Sequence, residues 1–266
     1  YIRGKKIGLD LAFCSAQTYI GLKRLLKKKL TNISSLCSAL RTIKTNEECT
    51  LMAKACTISD DILHSCIKRF STFATEKDVE TFLITETIKR GCTLAFPPIV
   101  ASGSHGACPH YHAKQTPLQR GFCVIDFGVR YRGYCTDTTR TIYLGVPSRK
   151  EKEIYALVKR VQEQLVARST PGASCKGLAE QAQKLLGKYA KHFIHSLGHG
   201  VGLEIHEAPS LASSSTETLK KNMVVTIEPG IYLSKKFGIR IEDTLVVAAK
   251  PRVLTTVSNE LITISY

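Results

Sequence analysis

The chain has no tryptophan and only two methionines, and aromatic residues make up 7% of it, so aliphatic side chains must supply most of any core. No stretch approaches the roughly 20 apolar residues that a bilayer span requires, and no charged-then-apolar leader is seen. None of the ten cysteines is spaced C-x-x-C, which argues against a structural zinc ribbon. Without a leader, and in a domain large enough to need no staples, they read as reduced, mostly buried thiols, and the chain as cytoplasmic. Cys123 and Cys135 lie on strands expected to pair, so a chance bridge there would be incidental. Acidic residues are also scarce, 22 against 38 basic, for a net charge of +16. Such a balance normally points to an anionic partner.

The placement of the positive charge weakens that reading. Lys23, Arg24, Lys27, Lys28 and Lys29 share an expected amphipathic helix, about Ala16 to Leu30, with Leu22, Leu25, Leu26 and Leu30. The remaining pairs, Lys5–Lys6, Lys220–Lys221 and Lys235–Lys236, are scattered and lack interleaved aromatics. A solvated surface is the simpler account, and neither nucleic acid nor membrane is expected as a partner. The 266 residues suffice for one large domain, or one domain and a fragment. The opening at Tyr1 rather than Met suggests a trimmed chain.

Residues 1–40 read as a strand (Lys6–Leu11), the basic helix and a polar link, too little to bury a core. They are expected to be the tail of an N-terminal domain, with a second unit over 41–266. Helices are expected from Asn46 through Phe70 and from Glu76 to Arg90, then a strand Leu94–Val100 broken or edged by Pro97 and Pro98. A Gly/Ser/His/Pro-rich loop covers 102–121. A hairpin of Phe122–Phe127 and Tyr134–Leu144 follows, turning at Gly133. The order then repeats: helices Lys150–Arg168 and Cys175–Tyr189, a His/Gly-rich loop 195–208, a hairpin of Met223–Leu233 and Gly238–Ala248, and a last strand Glu260–Ser265. The fold class is α+β.

Each expected hairpin carries two carboxylates, Asp126 and Asp137 in the first, Glu228 and Glu242 in the second. Strand pairing can bring each pair together on one face, and two such hairpins about a pseudo-twofold would gather all four. An acid inside an apolar strand is costly unless paired or metal-bound. Any one of them alone suits a surface position or an arginine partner better; four in matched hairpins favour a metal site. With His199 they form a hard, oxygen-rich set suited to two divalent ions, which can make water a nucleophile at neutral pH. His195 and His199 superficially resemble a helical zinc pair, but Ser196 stands where the zincin motif needs Glu, and Gly198, Gly200 and Gly202 disfavour a helix. Spacing cannot choose among His105, His110 and His112, and His64 and His192 are background.

SHGACPHYHAKQTPLQRGFCVIDFGVRYRGYCTDTTRTIYLG, HSLGHGVGLEIHEAP, NMVVTIEPGIY and GIRIEDT together resemble the catalytic domain of the pita-bread metallopeptidases. Among these the chain is most similar to the Xaa-Pro aminopeptidase and prolidase branch, over about residues 41–266. The resemblance implies a pseudo-twofold, curved antiparallel sheet with helices outside it. It implies Asp126, Asp137, His199, Glu228 and Glu242 as ligands, with Asp137 and Glu242 bridging two metals. It also implies Glu228 as general base, His206 and His110 as substrate-contacting histidines with His206 stabilising the oxyanion, His195 as a mark of Xaa-Pro specificity that orients the proline side together with His110, and Arg240 as an arginine supporting the site by hydrogen bonding. Phe122 and Asn222 depart from the usual pattern without touching a ligand.

The expected activity is therefore cleavage between an N-terminal residue and proline, as an Xaa-Pro aminopeptidase. The metal expected is Mn²⁺, with Co²⁺ or Zn²⁺ as substitutes. Alternatives are a prolidase acting on Xaa-Pro dipeptides, a methionine aminopeptidase, a non-catalytic module binding nucleic acid or histones, and an inactive fragment. A homodimer is possible in this branch.

Overall fold

The computed structural model describes residues 6–265, so Lys5 and the chain's first residue lie outside the described part. The chain begins with β1 (Lys6–Leu9), α1 (Ala16–Leu26), β2 (Lys29–Asn32) and α2 (Ser34–Thr42). The expected helix to Leu30 stops four residues early. Lys27 adopts a left-handed conformation (φ 47°), the chain reverses, and Lys29–Asn32 pairs in parallel with β1, so Lys29 and Leu30 are strand residues. The connection is long enough for a parallel pair because the helix lies between the strands. The polar link contains α2, which runs across the expected boundary at residues 40 and 41.

Next come α3 (Asn46–Lys68) and α4 (Glu76–Lys89), each opened by a capping box, Thr45 with Glu48 and Thr75 with Asp78. The expected strand over 94–100 divides into β3 (Thr93–Leu94) and β4 (Ile99–Ser102), because Pro97 and Pro98 cannot donate to a ladder. β4 is an edge strand. The chain continues as β5 (Gly121–Phe127), β6 (Val129–Tyr131), β7 (Tyr134–Cys135) and β8 (Thr138–Leu144).

The first hairpin is not the simple one expected. β5 pairs with β8, setting Asp126 opposite Thr139, while β6 and β7 form their own small hairpin, turned at Arg132 and Gly133, against β3. Cys123 and Cys135 thus lie in different sheets, and all ten cysteines are free.

α5 (Arg149–Arg168) and α6 (Cys175–Leu186) open the second half. The His/Gly-rich segment is not all loop, since it forms β9 (Gly198–Gly200) and the start of β10 (Glu207–Leu211). Then follow β11 (Val224–Ile227), β12 (Gly230–Leu233), β13 (Phe237–Arg240) and β14 (Asp243–Val246). The turn before β11 uses Asn222 at φ 66°, a conformation asparagine tolerates. β11 pairs with β14 and β12 with β13, so the second hairpin is interrupted at Glu228–Pro229 on one strand and at Ile241–Glu242 on the other. The last expected strand is only Thr263–Ile264, parallel to β8.

Helices cover the outer faces of both halves. α3 and α4 bury Leu63, Ile67 and Leu83 against Ile125, Phe127 and Val129, while α5 and α6 bury Val158, Leu165 and Leu178 against Val225, Ile227 and Leu245. The halves join where Glu242 N donates to Thr139 O and Thr141 Oγ donates to Arg240 O. The ligand candidates converge on this seam.

Candidate metal centre

Asp126 is on β5, but the other three carboxylates occupy breaks between strands, Asp137 before β8, Glu228 after β11 and Glu242 before β14. A residue at such a break can leave the strict two-residue alternation and aim its carboxyl at the seam. His199 comes from β9, wedged between β10 and β11. There is no room for side chains beside it: a Cβ on Gly198 would lie 2.0 Å from Thr226 O, and one on Gly200 2.1 Å from Ala208 O. The glycines on either side of His199 therefore serve close strand approach, which seats the imidazole.

Asp137, His199 and Glu242 each offer a ligand atom within 4.8 Å of the others. His199 Nδ1 is 3.1 Å from Gly200 O and donates to it. This leaves the Nε2 lone pair facing Asp137 Oδ2 and Glu228 Oε1, each at 3.5 Å. A lone pair facing two carboxylates calls for a cation or a proton between them. Asp126 Oδ1 and Asp137 Oδ1 are buried with no hydrogen-bond partner, a further sign of a missing positive group. All three acids with resolved shifts are pushed upward. Burial, then the charges of Asp126 and Glu228, hold Asp137 well above the usual carboxylate range. Burial, then Glu242, raise Glu228 to about 8, and burial, then Asp137 and Asp126, raise Glu242 well above its ordinary value. Two divalent cations would replace those protons and offset four carboxylates, so the residues present fit the group.

Arg240 is buried beneath this cage. Its guanidinium reaches Asp126 Oδ2 (2.5 Å), Thr139 Oγ (3.0 Å), Tyr232 OH (2.8 Å) and Pro109 O (3.3 Å), and Thr139 passes the contact on to Glu242 Oε2 at 2.6 Å. Two ligand candidates are thus oriented from one arginine. Tyr232 OH, accepting from Arg240, lies 2.9 Å from His195 Nε2, while His195 Nδ1 is 2.7 Å from Ser196 O. Both His195 nitrogens are occupied within the protein. Burial, then the charge of Arg240, lower its pKa to about 4, so it is the neutral ring this chain of hydrogen bonds requires.

His206 packs edge-on against His199, with ring centroids 4.3 Å apart. A cavity of about 610 Å³ exposes all five ligand candidates together with His110, His195, His206 and Arg240, and Phe96, Pro97 and Ile99 supply an apolar wall. The five ligand candidates, His110, His195, His206 and Arg240 therefore face one space, and His112 lines it too, whereas His105, His64 and His192 do not. Among the described residues no helix is long and apolar enough to cross a membrane.

Residues 50–249 match the model of metallopeptidase family M24. The chain belongs to that family. It is 39% identical over 240 residues to an Xaa-Pro dipeptidase of Pyrococcus furiosus, a match covering 88% of this chain and 69% of the relative. Among solved structures, an X-Pro aminopeptidase of Thermotoga maritima superposes with a TM-score of 0.93 at 33% identity, covering 98% of this M24 chain and 76% of that one. The prolidase of Pyrococcus horikoshii gives 0.91 at 35% identity, covering 97% and 76%. The fold is the pita-bread fold, and the chain is a metallopeptidase of that class.

Sequence reasoning passed over two parts of this M24 site. Tyr232 sits in the quoted run NMVVTIEPGIY, four positions after Glu228, but reads there as an ordinary strand aromatic. Glu207 follows His206 in the quoted run HSLGHGVGLEIHEAP, where nothing marks it out. In the structure it accepts from Arg41 (2.5 Å) and from buried Lys44 (3.2 Å), and also from Glu204 N, closing the loop that presents His206.

Proposed function

We propose that this metallopeptidase hydrolyses the bond between an N-terminal residue and proline, with Xaa-Pro dipeptides as its first substrates. The observation that carries the reading is the buried cage of Asp126, Asp137, His199, Glu228 and Glu242 opening onto a cavity with the apolar wall of Phe96, Pro97 and Ile99. That wall suits a pyrrolidine ring. The sequence placed the Xaa-Pro aminopeptidase first and the prolidase second; relatives named Xaa-Pro dipeptidase favour the reverse order. The aminopeptidase remains the second reading because of the likeness to the Thermotoga maritima structure.

The five cage residues would hold two divalent ions, Mn²⁺ first, with Co²⁺ or Zn²⁺ as substitutes. When bound, such a pair lowers the pKa of water towards about 7 and polarises the scissile carbonyl. Glu228 takes the proton from the attacking water at its free carboxylate oxygen and returns it to the proline nitrogen as that nitrogen leaves. An X–Pro amide has no N–H, so this proton must come from the site. His206 donates to the developing oxyanion, and His110, lining the same cavity, orients the proline end. His195 and Arg240 act as positioning residues, since their polar atoms are spent on Tyr232, Ser196, Asp126, Thr139 and Pro109. The ten free thiols support a reducing, cytoplasmic setting. Residues 41–266 form the catalytic unit in this reading.

Hydrolysis of Ala-Pro and Ala-Pro-Ala with added Mn²⁺, beside Glu228→Ala, tests it. Turnover of Ala-Pro, lost in the variant, is expected. Cleavage of the tripeptide alone would restore the aminopeptidase, and equal activity in the variant would remove Glu228 from the mechanism.

A further inference from the structure

One buried carboxylate outside the metal cage gathers more hydrogen bonds than any helix cap needs. Glu76 is the first residue of α4 and is fully buried. Its Oε1 accepts from Ser102 N and Ser102 Oγ, both at 2.8 Å, and lies 2.9 Å from His105 Nδ1. Its Oε2 accepts from Tyr111 OH at 2.8 Å and Thr116 Oγ at 3.1 Å. All of these donors belong to the segment from the end of β4 to the approach of β5. That segment is the irregular loop carrying Pro109, His110, Tyr111 and His112 to the cavity rim.

The rest of the loop is tied in the same sense. Glu76 N donates to Thr116 O and Lys77 N to Lys114 O, fixing the loop's return to the start of α4. His105 and Tyr111 stack at 4.7 Å with an interplanar angle of 18°, so two of the donors also hold each other. On the far side, Gly106 lies directly against Gly238 of β13, where a Cβ on Gly238 would come 1.8 Å from Gly106 O. Pro109 O accepts from Arg240. A loop with few regular hydrogen bonds of its own is thereby held between one buried anion and the metal-site arginine.

We propose that Glu76 is a positioning residue for peptide hydrolysis, acting through the 102–116 loop to hold His110 at the proline end of the substrate. The inference rests on the Xaa-Pro reading of the cavity. A buried carboxylate accepting from five donors is hard to replace, because each donor left without it is itself buried or half-buried. In Glu76→Gln the new amide NH₂ faces donors, so at least one contact is lost and the loop loosens while the metal ligands stay in place.

The test is Mn²⁺-supported Ala-Pro hydrolysis by wild type, Glu76→Gln, His110→Ala and the double variant, with hydrogen exchange read across residues 103–118. Because misplacement by about 1 Å can cost on the order of a hundredfold, Glu76→Gln is expected to lower kcat/KM by about 10- to 100-fold. In the His110→Ala background the same change should cost less than about threefold, since the residues act as a unit. Loop exchange should rise, with metal stoichiometry unchanged. Should Glu76→Gln fail to fold, Tyr111→Phe removes a single donor and should show the same coupling on a smaller scale. Equal penalties with and without His110, or unaltered exchange in the loop, would overturn the proposal. Wild type inert towards Ala-Pro would instead count against the substrate assignment, and the exchange data would still judge the hold of Glu76 on the loop.

Discussion

Asp137, Glu228 and Glu242 lie buried or nearly so around one space, and their protonation depends on whether cations are present. Without metal, Glu228 titrates near 8 instead of its ordinary 4.5, because of burial first and Glu242 second. A carboxyl raised in the folded state contributes stability fully below its unfolded pKa and loses it as pH rises through the folded one. The chelator-treated protein should therefore lose thermal stability between about pH 4.5 and 8, and Mn²⁺ should raise Tm more at pH 8 than at pH 5. Calorimetry across this range checks it, with Glu228→Gln expected to flatten the slope; an unchanged slope would contradict the account. Arg240 gives a second residue-scale prediction. Arg240→Leu leaves the buried Asp126 carboxylate unpaired, which should cost about 3–5 kcal/mol in denaturant unfolding. Asp126, Glu228 and Glu242 were legible from sequence because an acid beside Val, Ile or Pro breaks a strand pattern, whereas Asp137 and His199 came from the resemblance to the pita-bread metallopeptidases. Tyr232 and Glu76 were not, because a strand tyrosine and an acid at a helix start are the residues such elements use routinely.

At the scale of elements, the active geometry depends on short strands stopping at the right residue. Pro229 ends the ladder directly after Glu228, and Glu242 follows the matching break after β13. The proline was visible in the sequence, whereas the exchange of partners between β11–β14 and β12–β13 was not, since periodicity does not name a strand's neighbour. The β6–β7 excursion was hidden for the same reason, being a small hairpin nested inside a larger one. β9 is the most exacting element. Gly198→Ala would press its Cβ onto Thr226 O and drive β9 from β11, shifting His199. We expect a stability loss on the order of 1–3 kcal/mol together with weakened metal affinity, read by denaturant unfolding and by Mn²⁺ titration. Native affinity in that variant would show that close strand approach does not seat the imidazole.

Across the whole molecule, the two halves share buried clusters, Phe122 and Tyr143 with Val158 and Leu245 and Cys135 with Val201 and Val224, and meet at the metal seam, while residues 6–33 supply no ligand candidate and α1 buries none of its residues. α2 reaches the site, through Arg41 on Glu207. Removing residues 1–33 should thus leave metal stoichiometry intact. Arg41→Ala should lower kcat/KM several-fold by loosening the His206 loop, an outcome steady-state kinetics on Ala-Pro would reveal. The repeated element order that makes two halves and one seam was legible in the sequence; the βαβ character of residues 6–32 was not, because β2 is four residues long and follows directly on Lys27 and Lys28.

The central claim is that four carboxylates and His199 surround a pair of divalent cations. Anomalous diffraction from a crystal soaked in Mn²⁺ tests it most directly. The account predicts two peaks about 3.5–4 Å apart, with Asp137 and Glu242 between them and His199 bound to one. A single peak elsewhere, or none within reach of these side chains, would contradict it.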